Sequence, residues 1–386
     1  MKISFDAKRA FQNFTGLGNY SRTLLQTLSK FYPENEYHLF TPKLSNNERI
    51  KEFLKSDGYI FHSSPGVFQF FKSLWRSVGI SIFLKKSDIQ IYHGLSHELP
   101  FFLPKKIKTV LTIHDLIHLR YPNQYGWFDR KVFTFKSRYA CRVADVIVAI
   151  SEQTKRDIVS FYKIDANKVR VIYQSCHEQY QNFSNYLDIV NPNDIKKNFL
   201  TIYEKYNLPK HYILYVGTIN ERKNALTLIR AYEKIMNQTD ADLVIIGNGS
   251  DYYIKVKNYL NENNLAHRVH LKPVVDFRDI PSIYWNAEIF AHPSVFEGFG
   301  IPIIEALYCG VPVVCSSGSC FAEAAGVNSK FVEPFDVDAW AKTLLELLNN
   351  PTEQKTMREA GFKFVQKFKN DVIAQQWNAL YQSLLK

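Results

Sequence analysis

Short apolar runs rich in β-branched residues alternate with helix-period runs along almost the whole chain, each pair separated by Gly, Pro, Asn or Asp. This alternation constrains the fold more than any other feature. Strands divided by helices pair in parallel and build α/β layers. The expected early strands are Lys2–Ala7, Tyr37–Thr41, Ile89–His93, Thr109–Ile113, Asp145–Ser151 and Lys168–Tyr173, with helices over Tyr20–Phe31, Phe128–Ala144 and Glu152–Tyr162. Ser151 is the expected N-cap of the last of these. Around residues 175–208 the pattern lapses, and Pro209 closes the lapse, so a domain boundary is expected there. A second series follows, from the strand Tyr212–Gly217 through Ala225–Met236, Asp242–Gly247, Tyr252–Glu262, Val269–Lys272 and Val311–Ser316. Three helices, Asp338–Leu348, Thr352–Phe368 and Val372–Leu384, close it. The expectation is two doubly wound domains, residues 1–180 and 205–369, with ligands at the carboxyl ends of the strands in a cleft between them.

A chain of 386 residues is long enough for two such domains, and 46% apolar with 22% charged residues is ordinary for a soluble protein. The formal charge of +11 points to acidic partners: phosphates, an anionic lipid surface or nucleic acid. Charges interrupt the N-terminus at once, so no signal peptide is expected. No apolar window reaches the ~18 residues of a membrane span. The five cysteines form no C-x-x-C pair and fit no zinc spacing, so reduced thiols in a cytoplasmic protein are expected.

The chemistry concentrates in His292-Pro-Ser-Val-Phe-Glu-Gly-Phe-Gly-Ile-Pro-Ile-Ile-Glu305. A strand, Ile289–Ser294, runs into a Gly298/Gly300 turn and then a helix with Pro302 in its first turn. The free amides of that first turn, from Gly298 through Phe299 and Gly300 to Ile301, make an anion site. Glu297 and Glu305 stand on either side of it. Two acceptors around an anion site suit a ligand with hydroxyls at both ends and phosphate between, which is the layout of a nucleotide sugar. The plainer alternative is an ordinary turn whose acids complement the helix dipole.

Three further segments carry polar residues at strand ends. In Tyr212-Ile-Leu-Tyr-Val-Gly-Thr-Ile-Asn-Glu-Arg-Lys-Asn224 a buried strand meets the Gly217 turn, and Arg222 and Lys223 arrive where a helix begins. Cations are unfavourable at that end of a dipole unless an anion is bound. Thr15-Gly-Leu-Gly-Asn-Tyr20 puts Gly16 and Gly18 after the first strand, but it is not a dinucleotide fingerprint. His114, in Thr112-Ile-His-Asp-Leu-Ile-His118, ends a strand at the ligand side of its sheet, as does His93 in Tyr92-His-Gly-Leu-Ser-His97.

E-x7-E inside F-E-G-F-G-x-P-x-x-E-A resembles the signature of retaining glycosyltransferases of family 4, which have the GT-B fold of two facing Rossmann-like domains. The Y-V-G-T-x-x-x-R-K-N, G-x-G-x-Y and T-I-H-D-L-I segments resemble the same family, with mannosyltransferases as the nearest group. The resemblance implies a final helix, 370–386, packed back on the N-terminal domain. It implies Glu297 on the hydroxyls of the donor sugar, Glu305 on the ribose and Lys223 on the diphosphate. His114 would sit near the sugar C6 hydroxyl, and Gly16, Gly18, Gly217 and Thr218 near the donor. Many relatives carry arginine where this chain has Thr218, and Arg222 is the candidate to replace that charge.

The implied reaction moves a hexose, mannose first, from a GDP- or UDP-sugar to a glycan or polyprenyl-linked acceptor with retention. Stabilising the departing diphosphate by Lys223, Arg222 and helix amides requires no metal and no cofactor. The D-x-D at Asp336-Val-Asp338 reads as a helix cap. Either the donor phosphate takes the acceptor's proton on the front face, or Glu297 acts as a covalent nucleophile. Rivals within the fold are a sugar-nucleotide epimerase and a glycogen-type phosphorylase or synthase. The rival of another class is a non-catalytic nucleic-acid-binding protein, but the charge is spread without a dense basic helix, so no nucleic-acid partner is expected. Residues 53–86 combine Phe61, Val67, Phe68, Phe70, Phe71, Leu74 and Trp75 with Lys55, Lys72, Arg76, Lys85 and Lys86, with near-helical spacing over Phe68–Phe83 that Gly79 interrupts. That pattern suits peripheral contact with the anionic inner face of a membrane, against the alternative that the rings fill the core.

Overall fold

The computed structural model describes residues 1–43, 47–54, 58–64, 71–183 and 192–386. The chain forms two compact units, Met1–Ser175 with Phe368–Lys386, and Cys176–Lys367.

The first unit is built on seven parallel strands: β1 (Lys2–Asp6), β2 (Glu36–Phe40), β3 (Tyr59–His62), β4 (Ile91–Gly94), β5 (Lys108–Ile113), β6 (Val146–Ala149) and β7 (Val169–Val171). Their order is β3-β2-β1-β4-β5-β6-β7, so the winding reverses between β1 and β4. Because side chains alternate along a strand, each strand feeds both faces. Val110, Val146 and Val148 join the core under the helix Gly16–Phe31, whereas Leu111, Ile113, Ile147 and Ala149 join the opposite core. The terminal helix Asn370–Leu385 sends Ile373, Trp377 and Tyr381 into the first of these cores. It is also fixed by polar contacts, with the Ser175 hydroxyl donating to Asn370 at 2.5 Å and His93 Nδ1 lying 2.8 Å from the Tyr381 hydroxyl.

The second unit has six parallel strands: β8 (Tyr212–Val216), β9 (Asp242–Ile246), β10 (Val269–Lys272), β11 (Ile289–His292), β12 (Val313–Ser316) and β13 (Lys330–Val332). Their order is β10-β9-β8-β11-β12-β13, and the reversal falls between β8 and β11. A crevice opens where winding reverses, because the helices following the two central strands leave on opposite faces. The loops after β8 and β11 are those that carry Arg222, Lys223 and Glu297.

Two local expectations change. The helix expected over Phe68–Phe83 is broken within its described part, a π-helical turn at Trp75–Gly79 separating Lys72–Leu74 from Ile80–Lys85. Trp75 is only 3% exposed and packs with Phe40, Tyr92 and Leu111, while Arg76 is 2.6 Å from Asp6 and 3.3 Å from Glu98. Trp75 and Arg76 are therefore core and ion-pair residues, not a membrane face. Phe61, Phe71 and Leu74 are exposed. Lys55, Val67, Phe68, Phe70 and the side chain of Lys72 lie outside the described residues. Asp336 does cap its helix, accepting from the Ala339 amide at 2.9 Å, and Asp338 faces Lys234. Ser151 caps Glu152–Tyr162 through the Thr154 amide at 3.0 Å.

Candidate active site

The loops after β8 and β11 are stitched together by backbone before any side chain is considered. Val295 N–H donates to the Arg222 carbonyl at 2.8 Å, and the Arg222 guanidinium donates to the Phe296 carbonyl. Asn220 caps the short turn Glu221–Lys223 by accepting from the Lys223 amide at 3.1 Å. Asn224 follows at φ 56°, a left-handed conformation that asparagine tolerates. Its side-chain amide donates to Pro293 O at 3.2 Å and Pro334 O at 2.6 Å, tying three loops to one residue.

Glu297 is buried at the centre of this network. Oε1 accepts from the Ser294 hydroxyl at 2.6 Å and contacts Lys223 Nζ, and Oε2 lies 3.0 Å from Arg222 Nη1. Burial alone would push this carboxyl up, but Lys223 and Arg222 outweigh it and hold it well below the usual carboxylate range. Burial lowers the Lys223 ammonium against the pull of Glu297. Two cations against one carboxylate leave the cluster with one net positive charge, which suits an anion. His292, the last residue of β11, completes the wall with Nε2 3.6 Å from Glu297 Oε1. Burial lowers its pKa and keeps it neutral.

The Gly298–Gly300 turn is fixed from the far side. The Ser319 hydroxyl accepts from Glu297 N–H at 3.2 Å and donates to its carbonyl at 3.1 Å. The Cys320 thiol donates to the carbonyls of Glu297 and Phe299. Phe299 buries its ring. Gly300, at φ 106° and ψ 54°, forms the N-cap of the helix Ile301–Tyr308, and any side chain there would be strained. One turn further, Glu305 accepts from the Tyr284 hydroxyl at 3.3 Å, and burial pushes its carboxyl up to about 8. Gly217 ends β8 with its amide on Ile246 O at 3.0 Å, and Thr218 is exposed while its carbonyl accepts from Tyr215.

The strand ends of the first unit differ in kind. His114 has Nε2 2.9 Å from Leu95 O and Nδ1 3.0 Å from Gln174 Nε2. A carbonyl only accepts, so the ring proton sits on Nε2 and Nδ1 accepts from Gln174. Burial depresses this imidazole to about 3, so it is neutral. His93 is fully buried between Tyr381 and Thr112 and holds β4 to the terminal helix. Asp115 holds its loop by accepting from the Ile117 amide at 3.1 Å. A side chain at Gly18 would collide with the Asn13 carbonyl at 1.7 Å, and the Gly18 amide donates to Asn13 Oδ1, so local packing alone demands this glycine. Gly16 faces open space within 4 Å.

The motifs thus bring Arg222, Lys223 and Glu297 into one contact network. Asn224, Ser294, His292 and Cys320 were not singled out beforehand, although the first three lie inside the quoted motifs. Asn224 and Cys320 find their partners on other strand-end loops, Ser294 and His292 meet Glu297 within their own, and only Asn224, directly after the cation pair, carried a local signal.

Two family descriptions match the chain: Glycosyltransferase Family 4 over residues 14–176, and Glycosyl transferases group 1 over residues 199–364. The chain is 26% identical over 388 residues to O-antigen chain mannosyltransferase B of Escherichia coli, covering 95% of this chain and 96% of that protein. It is 25% identical over 358 residues to the capsular polysaccharide biosynthesis glycosyltransferase CapM of Staphylococcus aureus, covering 87% and 88%. Among solved structures, Anabaena HepE in complex with UDP-glucose superposes with a TM-score of 0.74 at 18% identity, covering 99% of this chain and all of that one. WaaG, a glycosyltransferase involved in lipopolysaccharide biosynthesis, gives 0.70 at 14% identity, covering 97% and 98%. Parallel-sheet Rossmann-like units of the GT-B type, with a glycosyltransferase description matching each half, make this chain a GT-B glycosyltransferase that resembles family 4.

Proposed function

We propose that this glycosyltransferase moves a hexose, mannose first, from a nucleotide-diphosphate sugar to a glycan or polyprenyl-diphosphate-linked acceptor in surface polysaccharide synthesis, with retention. The observation that carries the reading is the buried Glu297 carboxylate between Lys223 and Arg222 with one positive charge to spare. The full-length likeness to a mannosyltransferase and a capsular polysaccharide enzyme supports the sugar and the pathway class.

In this reading the diphosphate recruits Lys223 and Arg222, and their charge stabilises the negative charge that grows as the glycosidic bond breaks. Glu297, relieved of those partners, accepts from the sugar hydroxyls. Glu305 accepts from the ribose. The front-face route has the donor phosphate take the acceptor's proton. The chain's own groups supply the charge compensation, so divalent metal is dispensable. The enzyme works at the cytoplasmic face of a membrane.

The test is a thermal-shift screen against GDP-, UDP- and dTDP-sugars followed by product analysis. A ligand that binds only the folded state raises the melting temperature. The expected result is stabilisation by one nucleotide-diphosphate sugar and an α-linked product from an α-linked donor. An inverted product, or activity abolished by a chelator, overturns the mechanism. Intact-mass detection of a hexosyl adduct on Glu297 would favour the covalent route instead.

A further inference from the structure

The helix Trp127–Val143 carries the apolar spacing of a core-facing helix on the side that faces solvent. Its buried residues, Ser137, Ala140 and Cys141, are small. At about 100° per residue, Trp127, Phe128, Lys131, Phe135, Arg138 and Arg142 fall within one stripe roughly 100° wide on the other side. All six are exposed. Trp127 is 66%, Phe128 70% and Phe135 65% exposed. No acid interrupts the stripe, and Asp129 in the first turn is the helix's single acidic residue. A second observation extends the surface. The loop before β5 is pinned at Phe101, whose amide donates to Ser77 O at 2.7 Å and whose ring lies 4.6 Å from that of Tyr139 in this helix. The next residue, Phe102, has φ 60°, which a bulky residue rarely adopts, and stands 75% exposed.

We propose that this stripe, with Phe102, seats the unit on an anionic lipid surface. Rings interleaved with long cationic side chains suit the headgroup layer, where the rings enter the acyl boundary while Lys and Arg reach the phosphates. A second copy of the chain fits poorly, since a twofold contact would set three cations against the same three. Single-stranded nucleic acid calls for a groove that tracks its backbone, and a lone helix presents its rings on a convex surface. The inference deepens the reading of a polyprenyl-linked acceptor. Its test involves no turnover, so the two can fail separately.

The test is flotation of the full chain with phosphatidylcholine vesicles with and without phosphatidylglycerol. Flotation is expected only with the anionic vesicles at low salt, with release at high salt. Lys131→Gln with Arg138→Gln and Arg142→Gln should weaken partitioning on the order of a hundredfold, at about fivefold per charge. Trp127→Ser with Phe128→Ser and Phe135→Ser should abolish it at an unchanged melting temperature. Should that variant misfold, the wild type still decides: a vesicle-induced blue shift of tryptophan emission must vanish in Trp127→Phe. The proposal is overturned by wild-type protein that stays unbound, by variants that float like wild type, or by a wild-type dimer that the serine variant dissociates. Retention by RNA without flotation overturns it as well.

Discussion

The strand-end loops of the second unit and those of the first solve opposite problems. After β8 and β11, charges of both signs are kept buried and in contact, with one positive charge left over and Lys223 disfavoured by its own burial. After β4 and β5, neutral histidines are already satisfied: His114 by Leu95 and Gln174, His93 by Tyr381 and Thr112. An ion pair can be exchanged for a ligand's phosphate and hydroxyls, so the first arrangement names a ligand class by its charge. A satisfied hydrogen bond has to be broken before it can serve a ligand, so the second names none. The contrast explains why the proposed donor has a counterpart in these residues while the proposed acceptor has none.

Breaking the charged side should have the largest effect. Glu297→Gln removes the charge and turns one of the two acceptor oxygens for the sugar hydroxyls into a donor, and transfer should fall about 10²–10³-fold. Affinity for the free nucleotide diphosphate should hold or improve, because Lys223 and Arg222 lose a competitor for the phosphates. Titration calorimetry beside steady-state kinetics checks this, and an equal loss of nucleotide affinity would overturn the division of roles. Lys223→Ala should cost somewhat less, about ten- to a hundredfold in kcat/KM, since Arg222 remains. Its melting temperature should also drop, because a buried carboxylate loses one of its two cationic partners. EDTA should leave wild-type turnover nearly unchanged, and strict dependence on manganese or magnesium would point to metal-assisted departure of the leaving group.

What could be read from the sequence follows the same division. β5, β8 and β11 were legible because a buried parallel strand is a continuous apolar run, and Lys223 and Glu297 because their chemistry lies within a few residues of a glycine turn. The break at Trp75–Gly79 showed in the sequence only as the interruption of the spacing at Gly79, which marks a weak point in a helix but not a π-helical turn. Trp75 and Arg76 looked amphipathic because sequence cannot show that Asp6 and Glu98 wait for the guanidinium. In Trp127–Val143 the helix was legible but its outward face was not, because interleaved rings and cations give no clean stripe. Ser319 and Cys320 escaped because hydrogen bonds to a backbone more than twenty residues away follow no local rule.

Glu305 offers a graded test of the same site. Burial holds its carboxyl up at about 8 against an ordinary 4.5. Between those values the folded protein keeps a proton that the unfolded chain has lost, so this group's share of stability is full below 4.5 and is lost as pH rises through 8. Glu305→Gln should flatten that decline in a melting-temperature profile. Ribose hydroxyls need the ionised carboxylate as acceptor, so nucleotide affinity should rise toward pH 8 by up to about tenfold per unit. Calorimetry at pH 7 in buffers of different ionisation heat should detect proton release on binding. Absence of release would remove Glu305 from the ribose.

His292 should give the smallest effect. Its imidazole is fully buried, 5.8 Å from the Phe290 ring and edge-on to Phe321, and among the described residues neither ring nitrogen has a hydrogen-bond partner. A buried polar group without a partner is destabilising, so His292→Phe should leave the melting temperature unchanged or raise it, within about 1 kcal/mol. Catalysis is expected to respond differently. Glu297 Oε1 is held by Ser294 and Lys223, and when a diphosphate draws Lys223 away the nearest replacement donor is His292 Nε2–H, 3.6 Å off. A hydrogen bond from a neutral imidazole to the Glu297 carboxylate, made only during turnover, is worth about 1.5 kcal/mol, so kcat should fall about tenfold with nucleotide affinity unmoved. A variant that is more stable and equally fast would show that the imidazole merely fills space, and that Ser294 alone holds Glu297 once Lys223 has moved.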